Sequence, residues 1–316
     1  MEVIKIEYPP QYERADFPEM AMALGYFDGV HLGHQHVINK AKKIAEKNGW
    51  KSAVMTFDPH PSVVLGKSIQ HAEYITPLPA KVELIANLGI DFLFVVQFTP
   101  DFANLLPQEF VDQYIINFNV VHMVAGFDFS YGRMGKGNME TIPFHSRNQF
   151  QYTVVPKYSQ GDEKVSSTLI RSAIKSGNME SLPKLLGGVY FTSGIVVHGD
   201  KRGRTIGFPT ANVEGNEDYL LPPSGVYAVR IKVKEKWYHG VCNLGVKPTF
   251  YDENNLKPSI EVNIFDFASD IYGQKVTVEW HKWIRSERKF AGIEQLVTQI
   301  EKDKRQALLY FEANHF

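Results

Sequence analysis

Apolar positions along this chain follow two successive patterns. Residues 20–27 (MAMALGYF) form an unbroken apolar run that ends at a glycine-rich turn, as in a strand buried on both faces. Over residues 34–47 the spacing becomes helical: Val37, Ile38, Ala41, Ile44 and Ala45 share one face, and Asn48-Gly49 stops the helix. The alternation then repeats. Residues 51–57 (KSAVMTF) read as a strand closed by Asp58-Pro59, and residues 80–88 as a helix ending at Gly89. Residues 91–98 (DFLFVVQF) read as a strand, and Pro107 opens a helix to about Phe118. Strands at 120–125 and 152–156 follow, then a helix over 167–176. Strands separated by helical crossovers imply βαβ units and a parallel sheet.

Beyond about residues 183–188 the helical spacing stops. Runs at 190–198, 225–233, 237–244, 259–267 and 274–283 are β-branched and aromatic, with turn residues such as Pro222-Pro223-Ser224-Gly225 and Tyr272-Gly273 between them. Several strands with no helices between them predict an antiparallel barrel or sandwich. A terminal helix is expected over about 293–312, with Ile293, Leu296, Val297 and Ile300 at helical spacing. The expected division is residues 1–184 and 185–316. There is no internal repeat or low-complexity tract.

Composition narrows the class. The chain has 316 residues, 44% of them hydrophobic and 22% charged, which suits two folded domains. Lys+Arg 34 against Asp+Glu 35 leaves a net charge of −1, so nucleic acid is not an expected partner. One cysteine, Cys242, excludes internal disulfides and a Cys-rich metal site and fits a reducing, cytoplasmic compartment. No apolar run is long enough to span a membrane, and MEVIKIEYPP lacks the pattern of a secretory signal.

The first candidate site is Gly25-Tyr26-Phe27-Asp28-Gly29-Val30-His31-Leu32-Gly33-His34, where the first long strand meets the first long helix. Ligands in open parallel sheets bind outside the strand carboxyl ends. A helix N-terminus there offers unpaired N–H groups to an anion, and glycines allow close backbone approach to a phosphate. His31 and His34 could donate hydrogen bonds to phosphoryl oxygens. The spacing is neither a dinucleotide G-x-G-x-x-G nor a Walker loop. A metal site, or two structural histidines beside a tight turn, stays open for a bare H-x-G-H. Phe57-Asp58-Pro59-His60-Pro61, Gly126 to Gly132 with Asp128, and Ser166-Ser167-Thr168 followed by Arg171 are expected at the same sheet edge.

The second candidate follows the first strand of the second half. Gly199, Gly203 and Gly207 interleave with Lys201, Arg202 and Arg204 in a cationic loop able to close over phosphates. Pro209 precedes Thr210 and Asn212, whose side-chain oxygens are hard ligands suited to Mg²⁺. Period two puts Glu261, Asn263 and Phe265 on one face of their strand. Glu261 is either an exposed carboxylate or a base able to take a proton from a hydroxyl.

GYFDGVHLGH, TFDPHP, GFDFSYG and VSSTLIR, in this order, resemble the adenylyltransferase module of bifunctional bacterial riboflavin kinase/FAD synthetases. VHGDKRGRTIGFPTAN and IEVNIFDF, with GVYAV, YHGVCNLGVKPTF and WIRSERKF, resemble the riboflavin kinase module of the same family. The likeness runs from about residue 18 to 312. It implies a Rossmann-like nucleotidyltransferase domain followed by a six-stranded Greek-key barrel with a C-terminal helix. It implies phosphorylation of riboflavin to FMN by ATP, then adenylylation of FMN to FAD with release of pyrophosphate, both with Mg²⁺.

Carried over residue by residue, the resemblance assigns His31 and His34 to the ATP phosphates in a loop shaped by Phe27, Gly29 and Gly33. Asp28 organises the nucleotide and metal region. Ser167, Thr168 and Arg171 hold the departing pyrophosphate, and Asp128 borders the adenosine. Phe57, Pro59 and His60 lie near the flavin. In the second module Gly199, Arg204 and Gly207 belong to the phosphate flap, Thr210 and Asn212 bind Mg²⁺ and ATP, Glu261 is the general base, and Arg285 with Glu287 lies near the flavin. Two positions depart from the family pattern: Tyr26, where Asn or Ser is usual, and Asn263, where many members have His. The implied partners are small molecules, riboflavin, FMN and ATP, with the chain a monomer or weak homo-oligomer. Two alternatives remain at this stage: a nucleotidyltransferase acting on another phosphate ester such as phosphopantetheine, and a flavin-binding regulator without turnover.

Overall fold

The computed structural model describes residues 1–66, 73–161, 163–199, 203, 206–215, 218–248 and 256–316. By internal contacts the chain forms two compact units, Met1–Ser167 and Thr168–Phe316.

In the first unit, six parallel strands form one sheet: β1 (Glu2–Ile6), β2 (Met20–Leu24), β3 (Lys51–Asp58), β4 (Phe92–Gln97), β5 (Val120–Gly126) and β6 (Gln151–Val155). Their order is β1-β4-β3-β2-β5-β6. β2 is central, and all five of its residues are buried, which is why its sequence is continuously apolar rather than alternating. Met20, Met22 and Leu24 join the core on one face of the sheet, and Ala23 the core on the other.

The second core includes Val37, Ile38 and Ala41 of α1 (Leu32–Asn48) and Ile85 of α2 (Leu78–Asn87). α1 ends where Gly49 takes the left-handed conformation (φ 73°) and returns its N–H to Ala45. The expected helix from Pro107 is split: Pro107–Phe110 is α-helical and Val111–Ile116 winds as a wider π-helix. Strand order reverses at β2, which is flanked by β3 and β5. A crevice therefore opens at the carboxyl ends of β2 and β5, where neighbouring connections leave in opposite directions.

α3 (Ser167–Lys175) spans the division between the units. In the second unit six strands close into an antiparallel barrel: β7 (Phe191–Val197), β8 (Ala211–Gly215), β9 (Gly225–Val233), β10 (Lys236–Pro248), β11 (Leu256–Ile264) and β12 (Lys275–Arg285). The order β7-β8-β11-β10-β9-β12 is a Greek key: β9, β10 and β11 are consecutive neighbours, and β8 crosses over to lie beside β11. This decides between the barrel and the sandwich that the pattern left open. α4 (Ile293–Ala313) packs on β9, β10 and β12, burying Ala307 and Phe311 against Val226, Ala228 and Val241.

Among the strands of the main sheet and the barrel, β1 and β8 escape the sequence pattern. β1 is an edge strand whose residues are mostly exposed. β8 is short and follows a proline-containing loop, so the segment carrying Asn212 reads as loop although it is strand.

Candidate active sites

The turn after β2 is held by several independent contacts. Phe27 (φ 55°) and Val30 (φ 39°) are non-glycine residues in the left-handed region, with Gly29 (φ 91°) between them. Such strain persists only where surrounding structure over-determines it. The buried Asp28 carboxylate accepts the N–H groups of Thr76 (3.0 Å) and Ile75 (3.3 Å). The Gly29 N–H donates to Thr76 Oγ1 (2.8 Å), and Ser167 Oγ donates to the Asp28 carbonyl (3.0 Å). Asp28 thus organises the region through backbone amides. Ser167 at the start of α3 ties the SSTLIR segment to the turn, and Thr168 and Arg171 follow on the same helix, in the second unit by contacts.

His31 caps α1. Its Nδ1 accepts the His34 N–H at 3.2 Å, so a neutral His31 carries its proton on Nε2 and is a donor there. The two imidazoles stack with ring centroids 3.5 Å apart, 18° from parallel. A Cβ at Gly33 would come within 3.1 Å of the His31 ring, so this pairing favours glycine there. Burial lowers the His31 pKa to about 4, and burial pushes His34 well below its ordinary value, with His31 and Lys81 adding to the shift. Both rings are neutral at pH 7. His34 Nδ1 is buried without a hydrogen-bond partner among the described residues, a polar atom that a ligand can satisfy.

On the same sheet edge, Asp58-Pro59 is a cis peptide, and His60 caps the short helix Pro61–Leu65. His60 Nδ1 lies 3.0 Å from the Ser62 N–H and 2.6 Å from its hydroxyl. Phe57 is buried at the end of β3. Tyr26 meets His60 edge-on, with ring centroids 4.4 Å apart, so the phenol that departs from the family pattern lies against a residue expected near the flavin. Beyond β5, Asp128 pairs with Lys164 at 3.2 Å. The candidate residues of the first unit thus follow β2, β3 and β5 and open α1.

In the barrel, strand register assembles the second site. Asn212 on β8 is directly opposite Glu261 on β11, and Glu261 is opposite Asn243 on β10. Directly opposed residues project from the same face with Cβ atoms about 5 Å apart. Ile260 and Val262 are buried in alternation with half-buried Glu261 and Asn263, so the polar row lies on the outer face. Ser259 Oγ donates to Glu261 Oε1 (3.2 Å). Asn263 donates to the Pro209 carbonyl (2.8 Å), which fixes the segment before Thr210.

A cavity of about 370 Å³ opens beside this row, lined by Gly199, Pro209, Thr210, Asn212, Asp270 and Tyr272 among others. That volume is in the range of small-ligand sites. A Cβ at Gly199 would overlap the Asn212 carboxamide. Gly207 takes φ 85°, with open space where a Cβ would stand. Arg204, with Lys201 and Arg202, lies outside the described residues.

Arg285 is engaged within the fold. Its Nε and Nη2 grip the Asp303 carboxylate of α4 at 2.8–3.0 Å, and Nη1 donates to the Ser286 carbonyl at 3.0 Å. Glu287 Oε1 accepts from Asn243 at 3.4 Å. No group of three or more His, Cys, Asp or Glu residues that could hold a metal occurs among the described residues. The oxygen donors Thr210 and Asn212, facing a cavity, remain the residues that suit a hard cation.

Residues outside the expected sets also matter. Lys81 of α2 is 2% exposed, and its Nζ donates to the Tyr26 carbonyl (2.9 Å) and to Thr56 Oγ1 (3.3 Å). Its signal was a lysine at helical spacing with Leu84, Ile85 and Leu88. Asn243 becomes visible only through the strand register.

A nucleotidyl-transfer α/β unit with paired N-terminal imidazoles, joined to a barrel with a polar row beside a cavity, is the architecture of a two-site phosphate-transferring enzyme. The comparisons agree. Residues 13–169 match the FAD synthetase family model, and residues 186–311 match the riboflavin kinase model. The bifunctional riboflavin kinase/FMN adenylyltransferase of Bacillus subtilis is 54% identical over 98% of both chains. That of Listeria monocytogenes is 47% identical over the same shares. A crystal structure from Streptococcus pneumoniae titled a macrolide-efflux protein is 35% identical, with a TM-score of 0.86 over 96% of this chain and 98% of its own. The efflux role in that title belongs to that protein. Among the described residues of this chain, no helix is long and apolar enough to cross a membrane. The chain belongs to the bifunctional riboflavin kinase/FMN adenylyltransferase family.

Proposed function

We propose that the chain makes FMN from riboflavin at the barrel and FAD from FMN at the α/β unit, using ATP in both. The observation that carries this reading is the presence of two different donor sets, each matched to one chemistry. In the first unit the donors are neutral imidazoles at a helix N-terminus, whose lowered pKa values make them weak bases. An FMN phosphate oxygen is already a nucleophile. It attacks the α-phosphorus of ATP, the bond to the bridging oxygen breaks, and pyrophosphate leaves with its electron pair. Charge develops on the phosphoryl oxygens, and oriented donors stabilise it. Nε2–H of His31 is our candidate donor, with His34 beside it. Thr168 and Arg171 are assigned to the pyrophosphate on the resemblance of their motif, Asp128 to the adenosine, and Phe57, Pro59 and His60 to the flavin.

In the barrel the acceptor is a ribityl hydroxyl, a poor nucleophile at pH 7, which benefits from a base. Glu261 takes its proton as the oxygen attacks the γ-phosphorus, and ADP departs. Asn212 and Asn243 on either side restrict the carboxylate's placement. Thr210 and Asn212 would hold Mg²⁺, which when bound neutralises charge on the phosphates. Gly199 and Gly207 let the flap approach them, and Glu287 is assigned to the flavin. Arg285, gripped by Asp303, is assigned with Glu287 to the neighbourhood of the flavin. The functional boundary is placed at 184/185, and the setting is cytoplasmic, in keeping with a single buried cysteine. The partners are small molecules, without nucleic acid.

The test is incubation of the full chain with riboflavin, ATP and a magnesium salt, following riboflavin, FMN and FAD over time. FMN should rise first and FAD follow. FMN alone would remove the adenylylating activity of the first unit, and no conversion would favour a flavin-binding regulator.

A further inference from the structure

We propose that Lys81 is a positioning residue for adenylyl transfer: its ammonium, sealed beneath the turn after β2, anchors that turn and places a fixed positive charge behind the paired imidazoles. The inference rests on the reading of the first unit as the adenylylating one.

A lysine is a costly choice for this position. An ammonium is buried only where hydrogen bonds and opposite charge compensate the lost hydration, and an apolar side chain could fill the same volume without that penalty. Lys81 nevertheless lies within the fold, with Nζ on the Tyr26 carbonyl and the Thr56 hydroxyl and 4.2 Å from the centre of the Tyr26 ring. Thr56 Oγ1 donates to the same Tyr26 carbonyl at 2.8 Å. Two donors therefore converge on the last peptide oxygen before the positive-φ stretch of Phe27, Gly29 and Val30. The Thr76 and Ser167 contacts hold the turn at Asp28 and Gly29, and Lys81 holds it at Tyr26.

The charges around Lys81 are those of Asp28 from the turn and Asp58 from the end of β3; the Tyr26 ring and His34 of α1 also face it. His31 in turn is influenced by Asp28, Asp128 and Lys164. Burial lowers the Lys81 pKa to about 8 against the pull of the two carboxylates, so it is mostly charged at neutral pH. Its charge opposes protonation of His34. Burial keeps both imidazoles neutral, and Lys81 adds to this at His34 while bringing positive charge to a site that attracts a triphosphate.

The test compares the unsubstituted chain with Lys81→Met and Thr56→Val. FAD formation from FMN is followed from about pH 6 to about pH 9.5, with FMN formation from riboflavin as the control in the same chain. Lys81→Met is expected to lower adenylylation kcat by about tenfold or more while KM for FMN and ATP moves less than about threefold, since the loss is one of positioning rather than contact. Kinase turnover should not change. The unsubstituted chain should lose kcat/KM as Lys81 deprotonates near pH 8, and Lys81→Met should lack that alkaline limb. Thr56→Val removes an acceptor that favours the charged amine, so it should move the limb to lower pH.

A Lys81→Met protein that is less stable but keeps the kcat per folded molecule and the alkaline limb of the unsubstituted chain would overturn the inference. So would a folded Thr56→Val protein with the limb unmoved, and this variant decides alone if Lys81→Met does not fold. Absence of FAD formation by the unsubstituted chain would overturn the underlying reading, and the inference with it.

Discussion

The two sites handle the same kind of group by different means. In the α/β unit the donors stand at one helix N-terminus, and their precision comes from a strained turn held by Thr76, Ser167 and Lys81. In the barrel, precision comes from strand register, which sets Asn212, Glu261 and Asn243 side by side on a regular surface. The contrast follows from the acceptors. A phosphate nucleophile needs only orientation and charge stabilisation, which neutral donors supply. A hydroxyl also needs a place for its proton, hence a carboxylate.

If that contrast holds, single substitutions should separate the two reactions cleanly. The largest expected effect is that of Glu261→Ala, which should reduce FMN formation from riboflavin by about 10³ or more, leaving FAD formation from added FMN at its normal rate. Equal loss of both reactions would end the division of labour. His31→Ala should do the reverse, lowering FAD formation by a factor of hundreds, about 3–4 kcal/mol, with kinase turnover intact.

A stability measurement sharpens the barrel side. Asp303→Ala leaves Arg285 without its buried carboxylate and should cost the second unit about 3 kcal/mol, read by denaturant unfolding. If Arg285 were held mainly by a ligand, the loss would be small until flavin was added.

The smallest effect concerns pH. The folded pKa of His31, about 4, lies below its ordinary value near 6.5. The folded state therefore binds fewer protons between these values. The His31 contribution is full above pH about 6.5 and is lost as pH falls toward 4, at most on the order of 3 kcal/mol. Acid unfolding of His31→Gln should show a shallower decline over that window. An unchanged slope would mean that His31 is not the buried neutral ring described above.

The parts of the fold with strong periodicity were legible in advance. β2 and α1 carry unmistakable patterns because one is buried on both faces and the other on one stripe. β1 was not, since an exposed edge strand needs no apolar alternation, and β8 was hidden by its length and its proline-containing approach. The histidine pair was visible as a motif. Its neutrality was not, because that comes from burial within the fold, to which the Lys81 charge adds at His34. Arg285 adds a contact that local spacing did not announce: it grips Asp303, 18 positions away in the terminal helix.

The sequence by itself determined the two classes of architecture, the motifs at the strand ends and the candidates for the reacting groups, since these depend on residue type and local spacing. Which residues stand beside one another was decided only by the tertiary structure. The row through Asn212, Glu261 and Asn243 exists because a closed antiparallel barrel fixes its register across three strands. The charge behind the imidazoles exists because α2 packs its lysine beneath a turn more than fifty residues earlier in the chain. Both are long-range facts. Hydrogen-bond register and burial are properties of pairs of segments, and no local pattern encodes them.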